Sequence, residues 1–141
     1  MTLHHAGYVV ASIDQARPGF LAWMGAGATC SQTVEDAIQR VKVAFLTPGG
    51  GAAAPMQIEL VEPAGAGSPV LKFLEKGGGL HHLCYEVDSL EAELARVKKL
   101  GAVLIRAARP AVAFDGRRIA WIMTPERLLV EYLERDPGAR R

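Results

Sequence analysis

The stretch Leu3-His4-His5-Ala6-Gly7-Tyr8-Val9-Val10-Ala11-Ser12-Ile13 returns later in the chain as Leu80-His81-His82-Leu83-Cys84-Tyr85-Glu86-Val87-Asp88-Ser89-Leu90. Leu, His, His, Tyr, Val and Ser recur in register, and Ile13 matches Leu90. A tandem repeat is a strong constraint, because each copy must form the same supersecondary unit and bury its apolar face with its neighbour. The later segments also correspond. "RVKVAFLTP" (40–48) resembles "RRIAWIMTP" (117–125), and "MQIELVEP" (56–63) resembles "LLVEYLER" (128–135). Each half therefore reads as a strand, a helix and then strands separated by Gly- and Pro-containing turns. The expectation is an α+β fold of two tandem modules of strand, helix and further strands, residues 3–63 and 80–135, in a single domain spanning 1–141. Residues 64–79 form a connector and 136–141 a frayed basic tail.

Local signals place the helices. Asp88 is expected to cap the second one, with Glu91 completing a capping box. Leu90, Leu94, Val97 and Leu100 follow helical spacing, Lys98 and Lys99 suit the last turn, and Gly101 ends it. Ser12 with Gln15 starts the first helix, and Pro18 predicts a kink or a late start. In the connector, Ser68 is expected to cap a short helix, with Pro69 at its first position and Gly77 at its end.

Half of the 141 residues are apolar and the formal net charge is +1. That balance argues against nucleic acid or an anionic membrane as partner. No apolar run approaches a transmembrane span, and the N-terminus lacks the features of a signal peptide. Cys30 and Cys84 form no metal-finger spacing and read as reduced, buried thiols of a cytoplasmic protein. Gly49-Gly50-Gly51 and Gly77-Gly78-Gly79 lack a phosphate-loop context and read as turns. Trp23, Phe45 and Trp121 read as core or dimer contacts. Arg117 and Arg118 are either anion-holding groups or solvated charges at a strand edge.

Each copy offers a histidine early in its first strand and a glutamate in its last. The candidates are His5 and Glu59 from one half, and His82 and Glu131 from the other. A His-His pair on one strand is more often structural than functional. A glutamate within an apolar strand is rarer, because an unpaired buried carboxylate is costly. Four such residues in a duplicated pattern suit one divalent metal ion, Co, Ni, Mn or Zn, with two positions left for water or substrate. Adjacent strand residues face opposite ways. His82 shares a face with Cys84 and Glu86, whereas His81 shares the apolar face of Leu83, Tyr85 and Val87. His82 and His5 are thus read as ligands, and His81 and His4 as structural; the opposite assignment is the alternative. Glu62 and Glu134 fall on the other face and read as solvated rim charges.

The segments "HHAGYVV", "VKVAFL", "IELVEP", "GSPVLKFLEKGGGLHHLCYEVDSLEAELARVKKLGA" and "RIAWIMTP…LLVEYLE" together resemble the vicinal oxygen chelate superfamily, and within it the methylmalonyl-CoA epimerases. The resemblance implies paired βαβββ modules whose mixed sheet curls around a metal-containing cleft. It carries the metal ligands to His5, Glu59, His82 and Glu131, with Gln57 a weaker candidate on the face of Glu59. It also implies a homodimer. One departure stands out. Such epimerases usually carry a second glutamate just before a Gln-Gly-Val stretch. Here Ile38 stands in place of that acid and Arg40 in place of the glycine, leaving Asp36 or Glu35 as substitutes.

A metal beside a carboxylate suits proton abstraction α to a carbonyl, with the ion stabilising the enolate and Glu131 as the catalytic base. The expected function is a metal-dependent isomerase, epimerase-like, acting on an acyl-CoA or related thioester as its small-molecule partner. The alternatives are a glyoxalase I-like lyase and a non-catalytic small-molecule-binding protein.

Overall fold

The computed structural model describes residues 1–51, 56–136 and 138. Most of the proposed C-terminal tail lies outside them. The fold is α+β, and it divides into two compact units, His5–His81 and Met1–His4 with His82–Arg141.

In the first half, β1 (Thr2–Val9) leads into α1 (Ile13–Met24), followed by β2 (Thr29–Cys30), β3 (Val34–Asp36), β4 (Val41–Thr47) and β5 (Gln57–Pro63). β1 pairs parallel with β5, and β4 pairs antiparallel with β5. Both short strands β2 and β3 pair with β4, so they stand where a βαβββ module has one continuous strand. Ser12 caps α1 as expected, its Oγ accepting from Gln15 N. The helix does not start late. Pro18 lies in its second turn, where it forgoes a single backbone bond. Ile13, Phe20 and Leu21 pack on Ala44, Leu46, Ile58 and Leu60, the sheet face opposite Glu59.

The connector holds α2 (Leu71–Glu75). It begins later than expected: Val70 is its N-cap, and Ser68 makes no capping bond. Gly77 follows its end at φ 119°. Gly78 also has positive φ, and a Cβ there would meet Val9 O at 2.7 Å. All three glycines of the run take positive φ, and at Gly78 a side chain would also lack space.

The second half runs β6 (Gly79–Val87), α3 (Leu90–Lys99), β7 (Val103–Pro110), a short 3-10 turn (Val112–Phe114), β8 (Arg118–Met123) and β9 (Leu129–Glu134). β6 pairs parallel with β9, and β8 pairs antiparallel with both β7 and β9. Leu90, Leu94 and Val97 pack on Tyr85, Val87, Ala120, Ile122, Val130 and Tyr132. Leu100 does not join them and is exposed. The N-cap is Ser89, whose Oγ accepts from Ala92 N. Asp88 instead pairs with Arg135, and Glu91 with Arg118. The extended backbone of Ser89 sets the first helical turn one residue later than the Asp88 box requires.

Candidate functional site

Strand alternation decides what each half presents. On the face of β1 and β5 away from α1, His5 Nε2 lies 3.2 Å from Glu59 Oε2, with the two side chains 0% and 7% exposed. On the face of β6 and β9 away from α3, His82 Nε2 lies 3.3 Å from Glu131 Oε2, with exposures of 2% and 3%. His4 and His81 lie elsewhere. His81 meets the Phe73 ring edge-on at 4.8 Å, and His4 meets Phe114 at 5.6 Å. Gln57 turns its amide to Thr47, donating from Nε2 to Oγ1 at 2.8 Å.

An aromatic ring accompanies each pair. Phe45 stands opposite Glu59 and meets His5 edge-on at 5.4 Å. Trp121 stands opposite Glu131 and meets His82 edge-on at 4.6 Å. These contacts fix the imidazole planes by packing as well as by polar bonds. The sequence treated Phe45 and Trp121 as plain core or dimer residues. The signal for their role was present but misaligned by one residue, because matching Thr47-Pro48 to Thr124-Pro125 set Phe45 against Ile122. Strand pairing sets Phe45 against Trp121 instead. Trp23 proves exposed, with Phe20 as its ring neighbour.

The acid candidates near residue 38 separate by face. Glu35 pairs with Lys42, whose partner across β4 and β5 is Glu62, so it lies on the helix side of the sheet. Asp36 pairs with Val41 and shares the face of His5; it is buried, and its Oδ1 accepts from Ile38 N and Gln39 N. Ile38 itself is exposed. Arg40 takes φ 56°, the left-handed region that a glycine would occupy freely. Its Nη1 donates to Gly67 O at 3.3 Å.

Residues 4–121 match the model of the Glyoxalase/Bleomycin resistance protein/Dioxygenase superfamily. The chain belongs to that superfamily. A curated relative within it, ethylmalonyl-CoA/methylmalonyl-CoA epimerase of Cereibacter sphaeroides, is 32% identical over 122 residues, 85% of this chain and 86% of that one. The crystal structure of methylmalonyl-CoA epimerase from Mycobacterium tuberculosis matches with a TM-score of 0.80 at 29% identity, covering 96% of this chain and 89% of the other. A hypothetical protein from Bacillus halodurans matches with a TM-score of 0.82 at 28% identity, covering 99% and 98%.

In this superfamily member the outlying charges divide by role. Glu62 is no solvated rim charge: its Oε2 accepts from Ile13 N at 2.9 Å, satisfying a donor in the first turn of α1. Glu134 is likewise paired, with Arg118. Glu134 and Glu91 hold the Arg118 guanidinium protonated well above its ordinary range, and Arg118 in turn holds the exposed Glu91 carboxyl below the usual value. Cys84 is buried beside Glu131 in the strand register, whereas Cys30 is half-buried rather than buried. Neither forms a disulfide. No helix among the described residues is long and apolar enough to cross a membrane.

Proposed function

We propose that His5, Glu59, His82 and Glu131 together hold one divalent ion, and that the protein moves a proton α to the carbonyl of an acyl-CoA or related thioester. The observation that carries this reading is the duplication of a buried His–Glu pair with an edge-on aromatic ring in each half. Structural hydrogen bonding accounts for one such pair, and the recurrence of a buried pair at equivalent positions supports a shared ligand. Two imidazole nitrogens and two carboxylates fit Co, Ni, Mn or Zn. The name of the Cereibacter relative and the epimerase fold neighbour support the same chemistry.

When bound, the ion supplies a Lewis acid for the oxygen that gains charge as the α proton leaves. Glu131 accepts that proton from carbon, and the C–H electron pair moves into the thioester carbonyl. Return of a proton to the opposite face inverts the centre; Asp36 is the acid of the 35–40 segment on the His5 face. The rings of Phe45 and Trp121 orient the imidazoles and exclude water. We further propose a cytoplasmic homodimer, supported by the consecutive exposed apolar residues Val103, Leu104 and Ile105 on β7. Sedimentation as a monomer at micromolar concentration would remove that part.

The decisive experiment is proton exchange. Metal-loaded protein in deuterated buffer should exchange the C2 hydrogen of methylmalonyl-CoA, followed by mass spectrometry. Conversion of a methylglyoxal hemithioacetal without thioester exchange would replace the epimerase reading with a glyoxalase-like one. Inactivity toward both, in protein that holds metal, would favour a binding role.

A further inference from the structure

The two halves differ sharply at one end of their inner faces. Aligning His5 with His82, Phe45 with Trp121 and Glu59 with Glu131 makes Val9 equivalent to Glu86, Val41 to Arg117, and Pro63 to Arg135. The first half fills this end with apolar residues, Val9 and Val41 being buried. The second fills it with three charged ones. The fold itself therefore does not require charge here, and half-burying three charged groups carries a desolvation cost.

The charges are arranged around Glu86. Its Oε1 accepts from Arg117 Nη1 at 2.8 Å, and its Oε2 from Arg135 Nε at 3.5 Å. Arg135 spends its other nitrogens on Asp88 and on Thr2 Oγ1. Arg117 is different. Its guanidinium sits 5.7 Å over the Phe114 ring, its side chain is 26% exposed, and its one recorded hydrogen bond among the described residues is that to Glu86. Nε and Nη2 remain to donate, in the planar fork that matches a carboxylate or phosphate. Arg118, the next residue, faces α3 and is taken up by Glu91 and Glu134. Arg117 immediately precedes β8, four residues from Trp121, about 13 Å at the usual rise per strand residue.

We propose that Arg117, braced by Glu86 and Phe114, receives the phosphate-bearing end of an extended thioester whose reacting carbon lies at the His–Glu end of the same face. This rests on the thioester reading and identifies a residue that sets substrate class. It predicts that the protein favours coenzyme A thioesters over short thioesters that lack a nucleotide.

The test is calorimetric titration with adenosine 3′,5′-diphosphate, a probe that lacks the reacting carbon. Arg117→Met should weaken its binding about tenfold or more, the scale of one lost charged bond, and Arg118→Met should leave it unchanged. A second variant guards against damage from stranding Glu86. The double substitution Glu86→Val with Arg117→Val restores the side chains of the first half, so it should fold and still lose the probe. With a coenzyme A thioester, Arg117→Met should raise KM and leave kcat in place, whereas turnover of an N-acetylcysteamine thioester should not change. Equal probe binding by wild type and the double variant would overturn the proposal, and that result is independent of whether any thioester exchanges its proton.

Discussion

His82 Nε2 stands 3.3 Å from Glu131 Oε2, both side chains almost wholly out of solvent. The pair draws one residue from the first strand of its module and one from the last, which β6–β9 pairing brings side by side. His5 and Glu59 repeat the relationship at 3.2 Å.

Metal content should follow this geometry. Protein purified without chelators and then reconstituted is expected to carry about one divalent ion per chain, a stoichiometry that follows from one four-donor set. His82→Ala should remove it. His81→Ala should keep the ion and lose stability by about 0.5–1.5 kcal/mol, the value of an aromatic edge contact with Phe73. Elemental analysis with urea unfolding reads both; retention of metal by His82→Ala would refute the assignment.

Ile38 is exposed, and the resemblance to epimerases implies an acid at this place. If one face of the enolate lacks its base, proton exchange should outpace interconversion of the epimers. Ile38→Glu should then raise interconversion while exchange changes little, as measured by exchange and chiral analysis on the same samples. A parallel rise in both rates would count against a one-sided base.

Backbone strain at Arg40 can be isolated. Arg40→Gly and Arg40→Ala both delete the bond to Gly67, but only glycine adopts φ 56° freely. The glycine variant should be the more stable by about 1 kcal/mol in denaturant unfolding. Equal stabilities would show that this turn relaxes out of the left-handed region.

Ser89→Ala should destabilise the fold by about 1 kcal/mol through loss of the α3 cap. Asp88→Ala removes a carboxylate that is 63% exposed in its pair with Arg135, worth at most about 0.5 kcal/mol after solvent screening. Chemical denaturation distinguishes Ser89 from Asp88 as the cap by which substitution costs more.

Burial pushes the Tyr132 phenol up. The folded state then holds that proton to higher pH than the unfolded chain does. The resulting stability is fully present below the unfolded value near 10 and is lost as pH rises through the folded one. Thermal unfolding between pH 9 and 11 should show this decline, and Tyr132→Phe should flatten it. An unchanged slope would place the alkaline sensitivity elsewhere.

What the sequence determined on its own was local or periodic. The repeat specified two like modules, helical spacing specified which faces of α1 and α3 are apolar, and the period-two alternation separated His82 from His81 before any partner was known. Each of these depends on residues adjacent along the chain. The tertiary structure decided which residue stands across from which. It moved β4 against β8 by one residue and so matched Phe45 with Trp121. It chose Ser89 as the cap, with the extended backbone of that position, while Asp88 pairs with Arg135, distant in sequence. It turned Arg117 to the face of His82 and Arg118 to α3. Strand register and long-range ion pairs join residues remote in sequence, and a one-residue slip exchanges the two faces of a strand. Nothing in the local pattern fixes that slip; only the assembled sheet does.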